Sequence, residues 1–373
     1  MLQKSKLLTN FGGLLCLIFA SALSAQPSYH LFESGHVRPI AMSPDGSKLF
    51  SVNTPDNRLE IYAVTNEGLS HVASVPVGME PVAVAARNNN EVWVVNHLSD
   101  SVSIVDVGAT PPLVAGTLLV GDEPRDIVFG GTNADRVFIS AAHRGQHRTH
   151  SSLNGVVGAG DPQLTTPDVG RADVWIFDAS NTGLNTAIGG IPQRIVTTFS
   201  DTPRALAVSP DGNTIYVAAF MSGNRTTTVS EVSVCNGFQM AGGSNCQAGA
   251  PGGVPGPFTN DPASGNSGIA PETGLIVKFD GNSWLDAVGR DWSAVVNIGL
   301  PDKDVFSFNA NTTSPSDLNL TEYAGAGTVL YNMVVNPITG KLYVSNHESP
   351  NDVRFEGPGD FGGSTVQGNL SQT

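Results

Sequence analysis

The strongest constraint on this chain is an internal repeat. Pro39-Ile-Ala-Met-Ser-Pro-Asp-Gly46 recurs as Pro81-Val-Ala-Val-Ala-Ala-Arg-Asn88, as Pro124-Arg-Asp-Ile-Val-Phe-Gly-Gly131 and as Pro203-Arg-Ala-Leu-Ala-Val-Ser-Pro-Asp-Gly212. A looser fifth copy is Asn332-Met-Val-Val-Asn-Pro-Ile-Thr-Gly340. Each copy precedes a short β-branched and aromatic run: Leu49-Phe-Ser-Val-Asn53, Val92-Trp-Val-Val-Asn96, Val137-Phe-Ile-Ser-Ala141, Ile215-Tyr-Val-Ala-Ala219 and Leu342-Tyr-Val-Ser-Asn346. Short apolar runs bounded by Pro, Asp, Gly and Asn turns are strands in hairpins. Third strands are expected at 58–64, 101–107, 173–179, 275–281 and 352–358, and outer strands at 71–78, 113–121, 194–200 and 293–300.

Four strands every 42 or 43 residues, from Pro39 to Pro81 to Pro124, make a small antiparallel sheet that cannot bury both faces alone. Stacking such sheets face to face around an axis buries them. The expected fold is therefore all-β, a β-propeller of four-stranded antiparallel blades. A β-solenoid fits less well, because its repeats are shorter and lack a four-strand meander. Composition agrees: 42 Gly and 24 Pro are too many for a helical bundle, and a 40% hydrophobic fraction excludes a disordered chain. Trp93, Trp175, Trp284 and Trp292 are expected to pack between blades. Five modules are countable, which points to an incomplete seven- or eight-bladed ring, an amino-terminal fragment or a truncated product.

Lys4 and Lys6 precede the apolar run Phe11-Gly-Gly-Leu-Leu-Cys-Leu-Ile-Phe-Ala20, and small residues follow at Ala20-Ser-Ala22 and Ser24-Ala25. This pattern predicts a signal peptide within 1–25, leaving a periplasmic or secreted propeller over 26–373. Its removal takes away two lysines and no acid, so a net charge of −14 becomes −16. No later segment approaches 18 continuous apolar residues, so no membrane partner is expected after cleavage. The acidity also argues against nucleic acid, whose phosphates demand clustered Lys and Arg. In an oxidising compartment Cys235 and Cys246 are expected to form a local disulfide, since neither has the companions of a metal or haem site.

Excursions near 143–170, 221–271 and 309–325 break the period and read as rim loops, where binding usually resides. The first opens on His143, His147 and His150, three imidazoles in eight residues. They are a candidate zinc or copper set, opposed by the intervening Arg144 and Arg148; the alternative is a solvated loop gripping an anion or partner carboxylate. Arg125 and Arg204 occupy the same place at the start of an innermost strand. Either they ring the axial mouth and bind an anionic group or partner, or they are salt-bridged to acids such as Asp122, Asp126 and Asp201. The Ser-Pro-Asp-Gly turns at 43–46 and 209–212 lack the Asp-x-Asp-x-Asp-Gly pattern of a calcium loop and read as turn formers. No Gly-x-Ser-x-Gly, His-Glu-x-x-His or phosphate-binding Gly-x-x-x-x-Gly-Lys is present, so no catalytic residue is assigned.

Val92-Trp-Val-Val-Asn96 and Leu342-Tyr-Val-Ser-Asn346 resemble the signature strand of the YVTN family of bacterial β-propeller repeat proteins. Ala142-His-Arg-Gly-Gln146, Gly170-Arg-Ala-Asp-Val-Trp-Ile-Phe-Asp178, Asp201-Thr-Pro-Arg-Ala-Leu-Ala-Val-Ser-Pro-Asp-Gly212, Gly327-Thr-Val-Leu-Tyr-Asn-Met333 and Asp352-Val-Arg-Phe-Glu-Gly-Pro358 are similar to one secreted subgroup. The resemblance spans roughly residues 30 to 368. Longer members of that subgroup continue into a cytochrome-c-like region with Cys-x-x-Cys-His, a motif this sequence lacks, so haem is expected only with such a further region. The leading expectation is a binding scaffold for a protein or small-molecule partner. The alternatives are the propeller portion of a redox protein and a lactonase-like propeller hydrolase, for which no metal cage is visible.

Overall fold

The computed structural model describes residues 35–161, 170–229, 275–286, 289–296, 302–347, 359–361 and 364–366. Its first blade is β1 (Ile40–Met42), β2 (Lys48–Asn53), β3 (Arg58–Thr65) and β4 (Gly68–Pro76), hydrogen-bonded in chain order and antiparallel throughout. The second repeats this with β5 (Pro81–Ala86), β6 (Glu91–Asn96), β7 (Ser101–Asp106) and β8 (Leu113–Leu119). The third uses β9 (Pro124–Gly130), β10 (Arg136–Ala141), β11 (Ala172–Asp178) and β12 (Arg194–Thr198). The chain is a β-propeller: the first strand of each blade lies against the first strand of the next, around the axis.

Alternation of side chains along each strand explains the stacking. On β6, Val92 and Val94 face the first blade, meeting Phe50, Val52, Leu59 and Ile61. Their neighbours Trp93 and Val95 face the third blade, meeting Ile127, Val137 and Ile139. On β11 the same rule sends Trp175 and Phe177 back to the second blade and Val174 and Ile176 forward to Leu206, Val217 and Phe306. Strands buried on both faces leave little room for charge, which is why the chain is charge-poor.

The fourth blade departs from the expected strand list. It is β13 (Pro203–Val208), β14 (Thr214–Ala219), β18 (Val305–Asn309) and β19 (Thr321–Tyr323). The run at 275–281, expected as its third strand, instead forms β16 (Leu275–Phe279) of a separate sheet, between β15 (Thr226–Val229) and β17 (Trp284–Leu285). The excursion near 309–325 therefore contains the blade's outer strand. Trp284 and Trp292 pack with Val229 and Val277 in the core of this inserted sheet, not between blades; only Trp93 and Trp175 are inter-blade. The physical reason is local pairing. β16 finds a partner in β15 at the near end of the insertion, which leaves Val-Phe-Ser-Phe-Asn309 to complete the blade.

A hairpin of β20 (Val329–Val335) and β21 (Leu342–His347) follows, packing Leu330 and Met333 on Ala205, Ala207 and Ala218 of the fourth blade. A further hairpin joins β22 (Gly359–Phe361) to β23 (Ser364–Val366). The described residues thus hold four complete blades and one two-stranded one. Asn332 Nδ2 donates to Val37 O at 3.3 Å, bringing β20 to the segment that enters β1. The outward face of β1 shows Ile40 and Met42, and that of the β20–β21 hairpin shows Val334 and Tyr343, all more than half exposed.

The Ser-Pro-Asp-Gly turns close as their sequence dictates. Gly46 and Gly212 take φ of +72° and +75°, a region open to glycine, and each donates its N–H to the turn's serine carbonyl at 2.9 Å. The Asp45 carboxylate is occupied by Ser43 Oγ at 2.6 Å and Ser47 N at 3.0 Å, so it serves the turn.

Candidate functional site

The axial mouth is built by a defect repeated in the ladder. Between β5 and β6, Pro81 pairs with Asn96 and Ala83 with Val95, so Val82 is an extra residue. The same bulge makes Arg204 extra opposite Ala219 and Ala218, Tyr331 extra opposite Asn346 and Ser345, and leaves Arg125 and Asp126 between the pairs Pro124–Ala141 and Ile127–Ile139. A bulge re-aims the side chain it carries. The register also shows that the loops leaving β10 and β14 start beside Pro124 and Pro203, hence on the face of the propeller where the inner strands begin.

Two layers of polar residues result. In the deeper one, fully buried Asp126 accepts Arg38 Nε at 3.1 Å and Arg38 Nη2 at 3.0 Å, and its Oδ2 also accepts Leu206 N at 2.8 Å. Arg38 Nη2 further donates to Leu206 O at 3.0 Å, so one ion pair joins the first, third and fourth blades across the axis. The Asp126 charge raises the Arg38 guanidinium above its ordinary value. In the outer layer, Arg125 Nη2 donates to Glu123 at 3.1 Å, while Arg125 Nε is buried without a partner. Arg204 lies over the rings of Phe220 and Tyr331, with Cζ 5.2 and 5.9 Å from their centroids, and donates to Tyr331 O and His36 O. Burial, and then the nearby Arg125 charge, lower the Arg204 guanidinium. Neither arginine is bonded to Asp122, Asp126 or Asp201.

The histidine-rich loop opens on His143, His147 and His150. Among the described residues no three His, Cys, Asp or Glu side chains are placed to hold a metal ion. A 3₁₀ turn over Gln146–Thr149 stacks the His147 and His150 rings 5.5 Å apart, and His143 is exposed. The two arginines of the loop are buried. Arg148 is buried and donates to Asp173, to Gly160 O at 2.8 Å and to Gly158 O; Arg144 donates to Gly170 O at 3.1 Å and Asp161 O at 2.9 Å. The arginines satisfy carbonyls that a folded loop cannot leave dry. Burial, then the His150 charge, push His147 below the usual histidine range. The histidine turn walls a cleft of about 620 Å³ with Asp100 and Asp122 opposite. Cys235 and Cys246, like the predicted signal peptide, lie outside the described residues.

A second cleft, about 660 Å³, lies between the inserted sheet and the fourth blade. Its walls carry Phe199, Phe279, Trp284 and Tyr323. Its charges are paired with each other: Arg225 Nε to Asp302 at 3.5 Å and Lys303 Nζ to Glu322 at 2.7 Å, with Lys303 over the Phe199 ring at 5.2 Å. Sequence reading missed this site, because its residues come from β16, β17, β19 and the connections that carry Phe199, Arg225 and Asp302–Lys303. The only sequence signal was aromatic density in an otherwise polar insertion.

No protein-family model matches the chain, and no curated protein matches it. Solved structures do show likeness. Hydrazine synthase of Kuenenia stuttgartiensis aligns over 86% of this chain and 77% of its own, at 18% identity and a TM-score of 0.39. A candidate 6-phosphogluconolactonase of Bacteroides uniformis aligns over 82% and 76%, at 14% identity and 0.36. KlAtg21, solved with the coiled-coil of AgAtg16, aligns over 82% and 62%, at 13% identity and 0.41. Likeness at this level carries nothing about activity.

Proposed function

We propose that this chain is a secreted or periplasmic binding scaffold of the YVTN-type propeller group, holding a small molecule in the cleft between the inserted sheet and the fourth blade. The compartment rests on the charged start, apolar run and small residues of 1–25, and the group on the repeated strand pattern. The observation that carries the binding reading is the cleft itself. Its size falls within the range of small-molecule sites, and it combines aromatic faces with a few fixed polar groups.

The chemistry of the walls narrows the ligand. The two cations and two anions neutralise one another, so the cleft offers no net charge to an ion. The aromatic rings offer apolar faces, and the paired charges offer both donors and acceptors at the rim. An uncharged ligand with an apolar face and several hydroxyls, such as a sugar, satisfies all three. Tryptophan fluorescence reads the test, because Trp284 lines the cleft. Titration with cellotriose, maltotriose and chitotriose is expected to shift the emission for at least one, and Tyr323→Ala with Phe199→Ala to weaken that shift at least about tenfold. A shift unaltered in the double variant, or none with any of the three, refutes the cleft as the site.

A further inference from the structure

We infer that the axial mouth is a second, independent site, which binds a carboxylate by displacing the Glu123 side chain from Arg125. The bulge slot does not itself demand arginine. Val82 fills the same slot of the second blade fully buried, so an apolar residue is compatible with the register and with packing. Arginines at two of these slots therefore place positive charge at the mouth for a reason other than stacking.

The Arg125 guanidinium is incompletely satisfied. Glu123 is tethered two residues away and reaches only Nη2, leaving Nε buried and unpaired. A buried donor without a partner is costly, and a side-on carboxylate satisfies Nε and Nη2 together with two parallel hydrogen bonds. Glu123 is 46% exposed, so its carboxylate can swing into water at small cost. Arg204 supplies the second charge. Phe220 and Tyr331 cover its faces, and two backbone carbonyls hold Nε and Nη2, which leaves Nη1 on an edge without a hydrogen bond among the described residues. Arg38 does not compete for the ligand, because Asp126 already takes it side-on. The planar donor edge of a guanidinium matches the two oxygens of a carboxylate in one plane. The rings of Tyr331 and Phe220 favour a carboxylate carried on an apolar or aromatic body.

The test uses the mature chain with acetate, benzoate and inorganic phosphate, read by calorimetry and by displacement of bound benzoate. Benzoate is expected to bind more tightly than acetate, and phosphate to displace it poorly. Arg125→Met keeps the apolar stem and is expected to weaken benzoate at least about tenfold, the scale of one charged hydrogen bond. Glu123→Gln removes the internal competitor and is expected to tighten it. Melting temperature checks that Arg125→Met is folded; if it is not, Glu123→Gln decides alone. Failure of Glu123→Gln to tighten binding, an unchanged affinity in folded Arg125→Met, or phosphate competing as well as benzoate overturns the assignment. The cleft variants Tyr323→Ala and Phe199→Ala are expected to leave benzoate binding intact, which separates this site from the proposed sugar cleft.

Discussion

Replacing Asp126 with Asn is expected to cost more stability than any other single isosteric change at the axis. Each carboxylate oxygen accepts two donors: Oδ1 from Arg38 Nε and Ile127 N, Oδ2 from Arg38 Nη2 and Leu206 N. The amide retains one acceptor oxygen and turns an NH₂ towards the donors of the other. Breaking a buried ion pair by removing one partner costs about 3–5 kcal/mol. Arg38 is 31% exposed, so water recovers part of its solvation and the ion-pair loss falls at the low end. The unpaired backbone N–H adds about 1 kcal/mol or more, for a total of about 4 kcal/mol. At about 2 cal/mol/K of unfolding entropy per residue, that lowers the melting temperature of a chain this size by about 5 °C. Urea unfolding at pH 7, followed by far-UV dichroism and tryptophan fluorescence, measures it. Arg38→Met and the double variant complete a cycle, whose coupling is expected to exceed about 1 kcal/mol. A loss below about 1 kcal/mol for Asp126→Asn, or coupling near zero, would show that the cross-axis pair does not hold the blades together.

Two further outcomes follow from local geometry. Asp45 and Asp211 are held down to about 2, first by the Ser43 and Ser209 hydroxyls and then by the N–H groups of Ser47 and Asn213. A carboxylate depressed in the fold stabilises it above the ordinary carboxylate range, and that contribution is lost as pH falls from about 4 towards 2. The Asp45→Asn, Asp211→Asn variant is therefore expected to show a flatter acid limb in stability-against-pH curves; identical limbs contradict it. Asp173→Asn leaves the buried Arg148 without its anion and is expected to free the 143–161 loop, read as faster trypsin cleavage at Arg144 and Arg148 before global unfolding. Unchanged cleavage rates would mean that the Gly158 and Gly160 carbonyls alone hold the loop.

The blade architecture was legible because its cause is local. Val92-Trp-Val-Val-Asn96 alternates between two apolar faces, and only a strand covered on both sides has use for that pattern. The first three blades accordingly follow the expected strands. The fourth does not, since Leu275–Phe279 and Val305–Asn309 are both short apolar runs with strand character. Which of them pairs with β14 depends on what β15 offers first, and no window around either run contains that information. The arginines failed differently. Arg144 and Arg148 look solvated by composition, yet the loop they belong to folds back and needs donors for its own carbonyls. Arg38 and Asp126 are 88 residues apart, and only the arrangement of blades around a common axis makes them neighbours.

The position of the insertions gives the irregular parts a common address. Both long excursions leave from the ends of second strands, at Ala141 and Ala219, and those ends pair with Pro124 and Pro203, where the inner strands begin. The histidine turn, the inserted sheet and the arginine mouth therefore share one face of the propeller. The fourth blade joins the two proposed sites most directly. Its β13 carries Arg204, and Phe220 leaves β14 to stack on that guanidinium, its N–H held by Thr202 O at 2.8 Å. From Met221 the chain departs into the inserted sheet, bridged at that point to Val329, and it returns through Asp302 and Lys303, which wall the aromatic cleft. A stacking scaffold needs only the apolar alternation, so it is free to vary wherever the ladder bulges or a loop leaves. The chain places the Arg125 guanidinium, whose Nε is unpaired, and its aromatic cleft at those two kinds of position, and the opposite face carries the tight Ser-Pro-Asp-Gly turns.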